Sequence, residues 1–162
     1  MLRQDLAQLS LFQGLSAAQL STLDPLLDYC LFLPGTIIFE QGSQADALYL
    51  LLVGCVEVIY KPYDGPALTV ARITPGGVFG WSAALGRDVY TSSAVAGEAV
   101  EAYRLNGQRL HQLCESHPET GVVLLERLAS IIAERLSSTY EQILSVLQNG
   151  MERCEDPRRS KK

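Results

Sequence analysis

The residues best suited to chemistry lie between Val78 and Ser93. An apolar pair, Val78-Phe79, ends in Gly80 and leads into Trp81-Ser82-Ala83-Ala84-Leu85, which reads as a strand running into a short helical turn. Amides at the start of such a turn lack intrahelical partners, so those of Gly80, Trp81 and Ser82 are suited to attract an anion or a small polar ligand. Arg87 is the nearest cation in sequence and reaches a bound phosphate only if Gly86-Arg87-Asp88 folds back. A loop arginine beside an aspartate is more often solvated or locally paired. Tyr90, Thr91, Ser92 and Ser93 add four hydroxyls. This is the equipment of a binding site. No nucleophile–histidine signature and no nucleotide-hydrolysing motif is present, so an enzyme is not expected. With His111 and His117 as the only histidines, and Cys30, Cys55, Cys114 and Cys154 scattered without a C-x-x-C pair, no metal or cofactor site is expected either. Buried, reduced thiols are the expectation for the four cysteines.

The 162 residues, 48% of them hydrophobic, suffice for one buried core. The apolar runs Tyr49 to Val53 and Val122 to Leu125 fall far short of the roughly 20 residues that a spanning helix needs. The start, Met1-Leu2-Arg3-Gln4-Asp5, is unlike a signal peptide, and a soluble cytoplasmic protein without membrane association is expected. A net charge of -5 argues against a nucleic-acid surface, which needs clustered Lys and Arg. The basic run Arg158 to Lys162 reads as part of a disordered tail.

Positioning those residues requires a scaffold, and the chain changes texture twice. Residues 1–28 carry two short helices: Leu6, Leu9, Leu11 and Phe12 form the first, and Ser16 with Gln19 makes a capping box before Leu20, Leu23 and Leu26. From 29 to 105 there are brief apolar runs: Tyr29 to Leu33, Thr36 to Phe39, Ala47 to Val53, Cys55 to Tyr60, Leu68 to Ile73, Ser92 to Ala96 and Ala99 to Leu105. Turn signals such as Pro34-Gly35, Gly42, Gly54, Gly65-Pro66 and Gly76-Gly77 separate them. The spacing predicts a mainly β domain with flanking helices, an antiparallel, jelly-roll-like β-roll.

Residues 106–149 return to helix. Leu125, Leu128, Ile132, Leu136, Tyr140, Ile143 and Leu147 recur every three or four residues from about Glu119 to Asn149, and Gly150 is placed to stop the helix. Such a helix is about 45 Å long, more than a small roll covers, so Ile143, Val146 and Leu147 are expected to pair with the same helix of a second subunit. The predicted organisation is a domain over 1–149 and a disordered basic tail over 150–162.

The segment Phe32 to Tyr60 (F-L-P-G-T-I-I-F-E-Q-G-S-Q-A-D-A-L-Y-L-L-L-V-G-C-V-E-V-I-Y) resembles the opening strands of cyclic-nucleotide-binding domains. The likeness continues through Pro75 to Gly80 into that family's phosphate-binding cassette, then through Pro118 and Arg127-Leu128 into its long C-helix. It implies the sensory domain of a catabolite-activator-type regulator without the helix-turn-helix domain. Ligand-binding relatives place a glutamate after the cassette glycine, for the ribose, and an arginine before the next strand, for the cyclic phosphate. Here Trp81 stands at the first position and Tyr90-Thr91 at the second. The resemblance also places Thr139 and Tyr140 where catabolite-activator relatives face the purine, although a helix surface or dimer seam explains that pair equally well.

The sequence therefore leaves two functions open. One is a non-enzymatic regulatory module that binds a cyclic nucleotide or another small polar ligand in an altered or weakened site and signals through a dimerising C-helix. The other is a ligand-free dimeric scaffold whose pocket is filled by Trp81, which recruits a separate effector protein. Only 13 residues follow Asn149, too few for an appended DNA-binding domain of roughly 50 residues, so direct contact with nucleic acid is not expected.

Overall fold

Strand-forming segments separated by glycine turns pair into two four-stranded antiparallel sheets in this computed structural model, which describes residues 3–154. The strands are β1 (Leu27–Phe32), β2 (Ile37–Phe39), β3 (Ala47–Val53), β4 (Val56–Tyr60), β5 (Leu68–Ile73), β6 (Val78–Phe79), β7 (Ser93–Ala96) and β8 (Val100–Asn106). One sheet has the order β1-β8-β3-β6 and the other β2-β7-β4-β5. The expected β-roll with short N-terminal helices and a long C-terminal helix is thus present.

Alternation along the strands decides what lies inside. Ala47, Tyr49 and Leu51 of β3, Val100 and Ala102 of β8, and Phe79 of β6 face Val56, Ile73, Ala94 and Ala96 of the opposite sheet in one core. The intervening Leu48 and Leu50 are also buried, on the other face of β3. That face belongs to the helical flanks, which contribute the buried Leu6, Leu11, Phe12 and Leu23 before the roll and Leu110 and Leu113 after it. Being covered on both faces explains why β3 is a continuous apolar run rather than an alternating one. Gly54 makes the sharp turn into β4 at φ +94°, and a Cβ there would lie only 2.3 Å from the Ala99 carbonyl oxygen, so no other residue fits.

Two 3-10 turns, Arg3–Gln8 and Ser10–Phe12, precede α1 (Ala17–Leu23), whose start has the capping box of Ser16 and Gln19 in both directions. After β8 come α2 (Gly107–Ser116), capped by the Asn106 side chain, and α3 (Pro118–Cys154). The helix runs through Gly150 instead of stopping there: Gly150 keeps an ordinary backbone, and an interior glycine costs only about 1 kcal/mol against alanine. Cys30, Cys55 and Cys114 are free thiols but half-buried rather than fully buried. Cys30 sits on the edge strand β1, where one side has no neighbour. Arg158 to Lys162 and the Ile143 side chain lie outside the described residues. Among the described residues, no helix is long and apolar enough to cross a membrane. The chain divides after Arg127 into two units, the roll with its flanking helices and the remainder of α3.

Candidate functional site

Gly80 adopts the left-handed conformation (φ 75°, ψ 25°) and reverses the chain from β6 into a single 3-10 turn, Trp81–Ala83. A Cβ at Gly80 would approach the Phe39 ring and the Ala47 carbonyl oxygen to 3.1 Å. The cassette therefore packs directly on β2 and β3. Its later amides are spent within the turn: Ala84 and Leu85 donate to the Trp81 carbonyl (3.0 and 3.1 Å) and Arg87 to that of Ser82 (3.0 Å). Ser82 is buried and Trp81 half-buried.

Tyr90 follows a different course from its neighbours. Its ring is 2% exposed and stacks on Phe39 with centroids 3.8 Å apart and planes 14° from parallel. Phe39 also stacks on Tyr49 and Phe79, so the inner face carries a continuous aromatic array. The Tyr90 hydroxyl donates to the Ala47 carbonyl (2.5 Å) and accepts from the Ala47 amide (3.2 Å). Burial, the largest cause, pushes its ionisation up to about 12. The backbone is fastened as well, with Gly42 donating to Tyr90, Tyr90 to Ser43 and Ala45 to Asp88 (2.8–2.9 Å).

Beyond this closed region burial is less complete. Phe39, Val58 and Ala71 pack against the core yet are only partly buried, and half-buried Trp81 and Ser92 lie close in sequence to core residues of the same face. Ser93 accepts a hydrogen bond from the Gln41 amide through its hydroxyl (2.9 Å), and Thr91 is exposed. No charged residue stands from Gly80 to Ser82 or from Tyr90 to Ser93.

Arg87 goes elsewhere. It lines a cleft of about 1190 Å³ behind the cassette, bounded by Gln44 to Asp46, by Ala83 and Ala84, and by the α2 face carrying Gln108, His111 and Glu115. His111 and Glu115 pair at 3.4 Å across one helical turn. Of the cassette, Ala83 and Ala84 share this lining with Arg87, whereas Gly80, Trp81, Ser82, Tyr90, Thr91 and Ser92 do not. Thr139 and Tyr140 lie in the second unit; Thr139 donates its hydroxyl to the Arg135 carbonyl (3.0 Å) within α3, and Tyr140 is exposed.

Reading the sequence missed Phe39 and Asp46. Asp46 binds Arg104 at 3.0 Å, and Arg104 in turn lies 3.8 Å from Asp28. The signal for Phe39 was a large aromatic at the end of a short strand. For Asp46 there was none, because its partners are 44 and 58 residues away.

A family model described as the cyclic nucleotide-binding domain matches residues 30–117, more than half of the chain. The chain is 31% identical over 132 residues to Glutaminase 1 of Bradyrhizobium diazoefficiens, which covers 82% of this chain and 21% of that one. Its fold superposes on a cyclic nucleotide-binding domain from Methylobacillus flagellatus with a TM-score of 0.81, at 22% identity and with 88% and 83% of the two chains covered. It also superposes on the regulatory subunit of a cAMP-independent protein kinase A from Trypanosoma cruzi, solved bound to guanosine (TM-score 0.68, 27% identity, 91% and 48% covered). The chain spans about a fifth of the glutaminase and about half of the kinase subunit. With the matched segment running from β1 to the end of α2, this chain belongs to the cyclic nucleotide-binding domain family.

Proposed function

We propose that this chain is a non-catalytic sensory module that takes an uncharged, nucleoside-type ligand on the open inner face beside Gly80 and Trp81, and reports it to a second copy through α3. The observation that carries this reading is that neutral residues, half-buried Trp81, exposed Thr91 and half-buried Ser92, stand where ligand-binding relatives have a glutamate and an arginine, while Phe39 and Val58 of the same core are only partly buried. Burying a phosphate without a guanidinium leaves a desolvated charge unpaired, which is expensive. A ribose, by contrast, suits the Thr91 and Ser92 hydroxyls, and a base suits stacking on Trp81. The guanosine bound to the Trypanosoma cruzi relative is a precedent for such a ligand. Leu136, Tyr140, Val146 and Leu147 form an exposed apolar stripe on α3, which supports helix pairing with a second copy.

Trp81 is the chain's one tryptophan, so its fluorescence reports the cassette alone. Guanosine, adenosine, cAMP and cGMP are titrated against it, with calorimetry in parallel. The expected result is an emission shift with a nucleoside and binding at least about tenfold weaker for both cyclic nucleotides, a difference of about 1.4 kcal/mol. Tighter binding of cAMP or cGMP overturns the neutral-ligand reading. Sedimentation should give a dimer mass at micromolar concentration, and a monomer overturns the pairing.

A ligand-free scaffold is the second reading, favoured by Tyr90 filling the interior against Phe39. Trp81, only half-buried, gives little support to the version in which it fills the pocket. Absence of heat and of any emission change with all four compounds would select the scaffold.

A further inference from the structure

The Tyr90 hydroxyl grips atoms 43 and 44 residues away in sequence. Besides its two bonds to the Ala47 backbone, it lies 3.4 Å from Asp46 Oδ1. Asp46 reaches in two further directions. Its Oδ2 accepts from Arg104 Nη2 at 3.0 Å, and its main-chain carbonyl accepts the amide of Gly107 at 2.8 Å. Gly107 is the first residue of α2, and it also abuts the cassette turn, since a Cβ there would stand 2.8 Å from the Ala83 carbonyl oxygen. Two residues on, Arg109 lies 3.9 Å from Asp28, the carboxylate that also faces Arg104.

We propose that Tyr90 and Asp46 act as a positioning pair that ties the loop carrying Thr91 and Ser92 to the first turn of α2, so that the state of the loop sets the state of that turn. The first amides of a helix have no intrahelical acceptors and depend on what is brought to them. In α2 those acceptors are the Asp46 carbonyl for Gly107 and the Asn106 side chain for Gln108 and Arg109 (2.9 and 3.2 Å). Asn106 is itself paired with Ala47 in the β3–β8 ladder. A shift of the Asp46-Ala47 peptide therefore disturbs both caps together. Tyr90 holds that peptide from the loop side, and Arg104 holds the Asp46 side chain from the sheet side. A change in the loop is passed on through a run of discrete, directional bonds, which is the kind of element that couples two places in a fold. None of this depends on which ligand, if any, the inner face takes.

The test is amide exchange by NMR on the ligand-free chain and on Tyr90→Phe, which keeps the stacked ring and removes the hydroxyl. Exchange is expected to rise about tenfold at Ala47 and, together with it, at Gly107, Gln108 and Arg109, while the Val58 and Ala71 amides of the β4–β5 ladder stay unchanged. A rise confined to Ala47 overturns the tie, and so does a uniform rise at every amide, which would mark general loosening. Asp46→Asn keeps the shape and the main-chain carbonyl but weakens the hold of Arg104. A smaller rise at the same three α2 amides is expected, and none at all overturns the role of the Asp46 side chain.

Discussion

The inner face of the roll has two halves built from similar residues to different ends. Around Tyr49, Phe79 and Tyr90 the aromatic rings are stacked and closed to solvent, and the one phenol pushed deepest has its hydroxyl bonded on both sides to backbone. Val58, Ala71, Trp81 and Ser92, by contrast, are only half-buried. The closed half therefore contributes most to stability, because burial removes apolar area from water and satisfies every polar atom it takes along. The half-buried residues contribute less, and changes there leave the core in place. This explains how the family's charged anchors are absent here while the roll remains intact.

The largest effect that would break this contrast is in the closed half. Phe79→Ala removes a ring that is 1% exposed and touches both Phe39 and Tyr49, and should cost about 3–5 kcal/mol in chemical denaturation. A loss under about 1 kcal/mol would mean that the array is not the core. Of intermediate size is the response to pH. The ionisation of Tyr90 is raised from 10.0 to about 12 by burial, so the folded state favours the neutral phenol more than the unfolded chain does. Its contribution is complete below pH 10 and is lost as pH rises from about 10 to about 12. Tyr90→Phe should show a shallower fall over that window than the parent, and identical profiles would refute the assignment. The smallest stability effect is expected in the open half: exposed Thr91→Arg should alter stability by no more than ~0.5 kcal/mol. The same change should raise cAMP affinity at least about tenfold, since a guanidinium restores a bidentate phosphate partner. A gain in stability without a gain in affinity would place position 91 away from the ligand.

The legibility of the chain follows the range of its interactions. β3 and β5 match the apolar runs Ala47 to Val53 and Leu68 to Ile73, because burial and turn glycines are local signals. The capping box at Ser16 was equally readable, being complete within four residues. The end of α3 was not: Gly150 looks like a stop, yet a glycine ends a helix only when the backbone actually turns there. In the cassette, the turn at Gly80 could be foreseen, whereas the burial of Tyr90 and the exposure of Thr91 could not. One residue of register decides which of the two faces inward, and the deciding contacts, Phe39 and Ala47, belong to strands formed far earlier in the chain. Arg87, which on sequence reaches a phosphate only if its loop folds back, lines the cleft between Ala83, Ala84 and α2.

β8 lies between β1 and β3 although it is the last strand to leave the ribosome. Leu27 must wait for Leu105, and Ala47 for Asn106, so neither β1 nor β3 has its β8 neighbour until synthesis has passed Asn106. Such long-range closure is slow and leaves apolar strands uncovered meanwhile. Truncations that end before Asn106 would leave β1 and β3 without that neighbour and should be recovered as insoluble protein.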